Sequence, residues 1–510
     1  MNQVNTKKLA LNTVFLYSRM FILMLVTFYT SRVLLKELGV EDYGIYGIVG
    51  GIVALFSSLR GLFATATQRF LNFEMGKGNM NALNQVFNMS IFINICICII
   101  FFIITETFGL WFLKNKLVIE PERLEAAYWV FHCSVIAAMI SILTIPFDAI
   151  IIANEKMSIY AYLSILDAIL RLAIIFILPF VNIDKLIAYA VLVILVSLII
   201  RSLNSIYCKR TFPECKYKFY WSKDLFKEMA TFAGWNFAGN LAFAMVNEGL
   251  NILLNIFGGV VANAARSIAY QIKNAISTLL SNAILAVEPQ ATQLYAKGDY
   301  SSFLKILFTI SKVIAFFYLL IGFPLFFYTK EFLCIWLNNV PQYTIEFIQC
   351  ILIYLAIRSF HEPINVFFFI IGQLKKFQTC ELIILTLSLP ISYVALKFYS
   401  IDLSYIFIIM AIIEFINLIF IVWIANKTGK FNMKLYLQIV WKYYIVTFIL
   451  VSTCLYGISY FYHSLKLINN LYCIIPIILS TSVFLILTYI IGFSSSEKKI
   501  IIKQIRKKHE

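Results

Sequence analysis

Long apolar runs alternate with short charged interruptions along almost the whole chain. Bounded by charge, Gly or Pro, the runs predict fourteen spans. The first six are 9–35, 42–67, 85–113, 126–152, 158–181 and 184–207; the next six are 226–257, 263–288, 303–329, 345–371, 377–397 and 402–425; the last two are 436–462 and 467–492. A helix needs roughly 20 predominantly apolar residues to cross the hydrocarbon core, and only helices and closed barrels satisfy their backbone groups there. Continuous apolarity rather than a 3.6-residue period is the expected signal, because lipid-facing and bundle-facing surfaces are both apolar. The pattern predicts an all-α polytopic membrane protein of about 14 transmembrane helices.

Composition agrees, with 61% hydrophobic and 13% charged residues, against about a quarter charged in ordinary soluble domains. Charge then sets orientation. An even number of spans puts both termini on one side, where 23 Lys and Arg lie near span ends against nine on the other. By the positive-inside rule that bias predicts cytoplasmic termini. The net charge of +16 is therefore largely topological, and the basic tail around 498–508 reads as a juxtamembrane cluster facing anionic lipid rather than nucleic acid. Lys7–Lys8 before an apolar run resembles a signal peptide, but the run is long and lacks a small-residue cleavage site, so it reads as the first span.

Several function classes recede. The ten cysteines form no CxxC or Cys/His metal spacing, so no disulfide framework or metal is expected. No GxxxxGK[ST] loop occurs, so the chain is not expected to hydrolyse ATP. The longest loop, 208–225, is about 18 residues, with no large extramembrane face for catalysis. His132, His361, His463 and His509 are scattered and assemble no nucleophile–base pair. The expectation is a transporter with no cofactor, not an enzyme.

An internal repeat organises the spans. Leu38–Gly39–Val40 and Tyr43–Gly44–Ile45–Tyr46 compare with Phe257–Gly258–Gly259 and Ser267–Ile268–Ala269–Tyr270. Met75–Gly76–Lys77–Gly78–Asn79 compares with Tyr295–Ala296–Lys297–Gly298–Asp299. Gly39 to Gly258 is 219 residues and Lys77 to Lys297 is 220. Six intervening spans give both copies the same orientation, as in parallel transporter repeats with binding between the halves. The predicted division is a lobe at 1–210, a cytoplasmic linker at 211–225, a second lobe at 226–428, two further helices at 429–493, and a basic tail at 494–510.

An ionisable side chain inside a span needs a partner or a wet cavity. On span 1, Asn12, Arg19 and Thr30 share one helical stripe within about 20°. Arg60 and Ser57 share a side of span 2. Span 7 carries Asn236, Asn240, Asn247 and Asn251 within about 60°, flanked by Glu248. Span 8 carries Asn263, Ser267, Tyr270, Asn274, Ser277, Ser281 and Glu288, flanked by Arg266 and Lys273. The stripes predict a hydrated cavity. Asp167 with Arg171, and Arg358 with Glu362, stand four apart and read as structural ion pairs. Glu362 precedes Pro363 in mid-span, where a broken helix would give it a functional setting. Arginines facing a cavity suit phosphate, which a guanidinium pairs bidentately.

The opening resembles a known family. Asn12, Tyr17 and Arg19, then Arg32–Val33–Leu34–Leu35 running into Leu38–Gly39–Val40–Glu41–Asp42–Tyr43–Gly44, are similar to polysaccharide and O-antigen flippases of the multidrug/oligosaccharidyl-lipid/polysaccharide (MOP) exporter superfamily. So are Glu288–Pro289–Gln290 and Ala296–Lys297–Gly298–Asp299. The resemblance implies two six-helix lobes related by a pseudo-two-fold repeat, plus two C-terminal helices, in a V-shaped transporter of the bacterial inner membrane working by alternating access. Its implied substrate is an undecaprenyl-pyrophosphate-linked oligosaccharide for O-antigen, capsule or exopolysaccharide assembly. Arg19, Arg60, Arg266 and Lys273 would receive the pyrophosphate. Asn236, Asn240, Asn247, Asn251, Asn263 and Asn274 would face the sugars, and Glu248 or Glu288 would couple a proton or Na+. Polysaccharide polymerase and chain-length proteins are candidate partners. The alternative is a cation-coupled multidrug or metabolite exporter, a branch that usually relies on an early intramembrane acid; 9–35 contains no Asp or Glu.

Overall fold

The computed structural model describes residues 6–57, 67, 70–71, 74–75, 79–154, 156–285, 287, 291, 294–295, 297–337, 339–464 and 474–493, and every regular element among them is a helix. The longer ones in chain order are α1 (Thr6–Ser57), α2 (Met80–Lys116), α3 (Leu124–Ala153), α4 (Met157–Ile177), α5 (Lys185–Thr211), α6 (Lys223–Leu285) and α7 (Tyr300–Phe327). They continue with α8 (Thr329–Trp336), α9 (Thr344–Ile371), α10 (Leu374–Thr386), α11 (Ser388–Tyr399), α12 (Tyr405–Lys427), α13 (Lys442–Ser464) and α14 (Ile474–Leu487). Every predicted span falls on helical chain over most of its described residues, with span ends such as 181, 184 and 402–404 outside the helices. Ten stretches among those residues are long and apolar enough to cross a membrane. The protein is a polytopic all-helical membrane protein.

Two junctions differ from the sequence reading. Spans 1 and 2 form one helix, α1, and spans 7 and 8 form another, α6, each broken by a single glycine. Gly39 has φ 80° and ψ 175°, and Gly259 has φ 65° and ψ −168°, a region open almost only to glycine. The two kinks stand 220 residues apart, the offset of Lys77 and Lys297. The structural counterpart of Gly39 is therefore Gly259, where the sequence comparison paired Gly258. Span 11 is split into α10 and α11, because Pro390 cannot donate to the carbonyl of Thr386.

The chain divides into two compact units, Met1–Ser267 and Ile268–Glu510. In the first, Ile45, Ile48, Val49 and Val53 of α1 pack with Phe101 and Leu113 of α2, Val130, Phe131 and Ile142 of α3, and Leu186 of α5. The Gly39 kink is clamped by charge on both sides. Glu37 accepts from Lys185 Nζ at 2.9 Å, while Asp42 takes a two-pronged contact from Arg123 at 2.8 and 2.5 Å. Arg123 also donates to Asp184 at 2.6 Å, and Asp184 caps α5 through the amides of Leu186 and Ile187. The loop after α5 is laced to α2: Asn84 donates to the carbonyls of Glu214 and Lys216, and Lys218 donates to Asn88.

The second unit has an aromatic core. Phe431 meets Phe308 and Phe367 edge-on at 5.0 and 5.3 Å, and Phe360 lies between Trp441 and Tyr444 at 4.7 and 4.6 Å. These separations are those at which ring quadrupoles attract.

Candidate functional site

Three polar constellations interrupt the apolar interior. The first surrounds the Gly259 kink. Asn263 donates to the backbone carbonyl and side-chain oxygen of Asn251 at 2.9 and 2.8 Å, and Asn255 donates to Asn263 at 2.9 Å. Asn251 donates onward to Glu248 at 3.0 Å, as does Asn247. Arg266 donates to the Asn247 carbonyl at 2.7 Å and lies 3.9 Å from Glu248. A bend between residues 255 and 263 leaves helical carbonyls and amides without their usual partners, and these side chains bridge the gap. Asn255 also receives the Val118 amide at 2.8 Å, tying the kink to the loop after α2.

Helix α1 reaches this bracket through glycines. A Cβ on Gly44 would lie 2.0 Å from the Val260 carbonyl oxygen, and one on Gly51 would lie 2.4 Å from Asn251 Nδ2 and 2.5 Å from Glu248 Oε2. The missing side chain at Gly44 lets the two backbones touch, and that at Gly51 makes room for the Asn251 and Glu248 side chains.

The second constellation lies inside the first unit. A cavity of about 300 Å3 is lined by Tyr46, Ser134, Ser141, Arg171 and Ser197. An adjoining one of about 190 Å3 shares Ser141, Arg171 and Ser197 and adds Asp148, Asp167 and Asn204. Arg171 donates to Asp167 at 2.9 Å, the predicted intrahelical pair, and Asn204 donates to Asp148 at 2.6 Å.

The third is in the second unit and is the most highly charged. Arg358, at mid-span on α9, donates to Glu362 at 3.0 Å, to Glu381 of α10 at 3.1 Å and to Glu414 of α12 at 3.1 Å. His361, one turn on, puts Nδ1 2.9 Å from Glu414 Oε1 and Nε2 3.2 Å from Glu381 Oε1. His361, Glu414 and Asn417 are wholly buried. Lys273, from the far end of α6, lies over the rings of Tyr270 and Tyr354 at 4.3 and 5.3 Å, and Tyr354 stands one turn from Arg358.

The sequence-predicted residues distribute as follows. Asn247, Glu248, Asn251, Asn263 and Arg266 come together in the kink bracket, with Asn251, Asn263 and Arg266 buried. Lys273 and the exposed Asn274 sit apart from them. Arg60 and Glu288 lie outside the described residues, as do the side chains of Arg19, Asn236 and Asn240. The Arg358–Glu362 pair forms, but as one edge of a five-residue cluster. His361, Glu381 and Glu414 were not singled out from sequence. Two acids alone in consecutive apolar spans were the available signal, since neither is affordable there without a cation.

No protein-family model and no curated protein matches the chain. Solved structures do. The lipid II flippase MurJ in an inward closed conformation superposes with a TM-score of 0.71 at 13% identity, over 94% of this chain and 98% of that one. An inward-facing multidrug resistance transporter of the MATE family gives 0.63 at 15% identity, over 81% of this chain and 97% of that one. A MOP superfamily transporter from Pyrococcus furiosus, described as having a binding pocket of reversed polarity, gives 0.58 at 16% over 82% and 95%. These superpositions identify the fold as the one shared by the multidrug and lipid II transporters of the MOP superfamily.

Proposed function

We propose that the protein is a flippase that carries an undecaprenyl-pyrophosphate-linked oligosaccharide from the cytoplasmic to the outer leaflet by alternating access. The observation that carries this reading is the extent of the likeness. The lipid II flippase matches 94% of the chain and the multidrug transporter 81%, a difference about the length of the segment 429–493. The absence of any acid from 9–35 also speaks against the multidrug alternative. In this reading the lobes are 1–210 and 226–428, and Arg19, Arg60 and Lys273 receive the pyrophosphate, as guanidinium and ammonium groups suit its oxygens. Arg266 joins them when the kink bracket opens and releases it from Glu248. Asn236, Asn240, Asn247 and Asn274 meet sugar hydroxyls, and the hydroxyl-lined cavity around Tyr46, Ser134 and Ser141 offers a second polar surface.

A deletion strain tests the reading. Lipid-linked repeat units should accumulate on the cytoplasmic face, with loss of surface polysaccharide that Arg19→Glu fails to restore. Normal lipid-linked pools with altered drug tolerance would transfer the assignment to the exporter.

A further inference from the structure

We propose that residues 216–221, between α5 and α6, bind the headgroup of an anionic phospholipid in the leaflet on the side of the termini. The segment is neither helix nor turn. Side chains of α2 hold it as a strap, standing in for a neighbouring strand. Asn84 Nδ2 donates to the Lys216 carbonyl at 2.9 Å, and Asn88 Oδ1 accepts from the Lys218 amide at 2.9 Å. Lys216 leaves the short turn before it in extended geometry, with φ −67° and ψ 119°. Alternate residues of an extended chain turn their backbone groups to one edge, so Lys216 and Lys218 share the edge facing α2. The amides of Tyr217 and Phe219 turn to the other edge and have no partner among the described residues. Behind the strap, the buried Glu214 accepts from Asn154 at 3.2 Å, and its carbonyl accepts from Asn84 at 2.7 Å.

The strap displays cations and rings together. Lys216 and Lys218 are exposed, and Tyr217, Phe219 and Trp221 are 64%, 67% and 49% exposed. Phe219 and Trp221 lean on Phe92 of α2 at 6.2 and 5.1 Å, which covers only part of each ring. Three rings left open on a segment bound to a membrane-spanning helix match the polar–apolar boundary of a bilayer, where Trp and Tyr concentrate. The anchor points set the same level: Asn84 and Phe92, two turns or about 12 Å apart, bracket the entry into the apolar run 85–113.

Charge gives the sign of the headgroup. From Lys209 to Glu228 the chain has six Lys and Arg against three acids, and one of those acids, Glu214, is buried. The lysine stems lie along the boundary with their ammonium groups toward phosphate. The two open amides donate to phosphate or ester oxygens, and the rings enter the acyl margin. A zwitterionic headgroup offers its own cation against the lysines, so the site selects lipids of net negative charge. Because the strap leads straight into α6, the bound lipid adds a tie at the start of that long kinked helix.

The test is native mass spectrometry of the full chain, delipidated in detergent and titrated with phosphatidylglycerol or phosphatidylcholine. The wild type should bind phosphatidylglycerol about tenfold more tightly. Lys216→Ser combined with Lys218→Ser should weaken that binding about twentyfold, at about fivefold for each lysine near the surface. Lys297→Ser combined with Lys305→Ser removes the same charge from exposed positions elsewhere and should leave the binding nearly unchanged. Equal binding of the two lipids by the wild type, an unweakened strap variant, or an equal loss in both pairs would overturn the proposal. Phosphatidylglycerol with a photoactivatable headgroup gives a readout that needs no variant: adducts on the wild type should fall within 210–223, and their absence there would also overturn it. The flippase reading stands or falls separately, since it concerns a different lipid carried through the protein.

Discussion

Replacing Arg358 by Met should be among the most damaging single changes in the second unit. The guanidinium touches three carboxylates at 3.0–3.1 Å, and its own side chain is 15% exposed, against 28%, 10% and 0% for Glu362, Glu381 and Glu414. At an effective dielectric of about 20 each such pair is worth roughly 4 kcal/mol before desolvation is subtracted. Methionine preserves the stem and deletes the cation, leaving Glu381 and Glu414 buried beside each other. Breaking a buried ion pair from one side typically costs about 3–5 kcal/mol. Glu362→Gln provides the contrast. It removes an intrahelical pair at the more exposed edge of the cluster, for which about 0.3–1 kcal/mol is expected. Unfolding midpoints of purified protein in detergent at pH 7.5, followed by tryptophan fluorescence, would rank the two. Arg358→Met combined with Glu414→Gln should recover part of the loss, because the double variant no longer buries an unpaired pair of acids. If Arg358→Met costs no more than Glu362→Gln, the cluster is not the buried ion network described here.

Further outcomes are expected elsewhere. Gly259→Ala should lower stability by about 1–3 kcal/mol through backbone strain alone, since a Cβ there meets nothing within 4 Å; Gly258→Ala, at a helical position, should cost no more than a few tenths of that, and equal losses would refute the assigned register of the repeat. Gly44→Ala should cost about 1–3 kcal/mol by overpacking, read as a lower melting temperature, because its Cβ would meet the Val260 carbonyl. Asp184 titrates below the ordinary carboxylate range: partial burial pushes it up, but the Arg123 hydrogen bond and the Ile187 amide outweigh that. A carboxyl with a lowered folded value stabilises above its unfolded value of about 3.9 and loses that contribution as pH falls through the folded one. Stability should therefore be insensitive to this group between pH 5 and 8 and decline below about pH 4. Asp184→Asn should flatten that acid limb, and an unchanged limb would contradict the capping role.

Most of the helices were legible because continuous apolarity is a demand of the solvent, read without knowledge of packing. The two kinks were half legible. The acidic run Glu37–Glu41–Asp42 reads as a loop between spans, yet Lys185 pairs with Glu37 and Arg123 with Asp42 within one bent helix. The repeat signalled the second kink, and a shift of one residue between adjacent glycines could not be decided without backbone angles. Polar stripes were found, but projecting them on a straight helix hid that Asn251, Asn255 and Asn263 meet around a bend. The charged cluster was legible only in its intrahelical part. Arg358 and Glu362 stand four apart, whereas Glu381 and Glu414 arrive from α10 and α12, and no spacing within one helix announces them.

The central claim is movement of a lipid-linked saccharide between leaflets, and reconstitution tests it most directly. Purified protein in proteoliposomes loaded symmetrically with a fluorescent undecaprenyl-pyrophosphate saccharide would be probed with a membrane-impermeant quencher. The account predicts that the fraction accessible from one leaflet changes severalfold when a pH gradient is imposed, and that Arg19→Glu abolishes the change. A distribution that stays equal between leaflets with the wild-type protein, gradient or none, would contradict it.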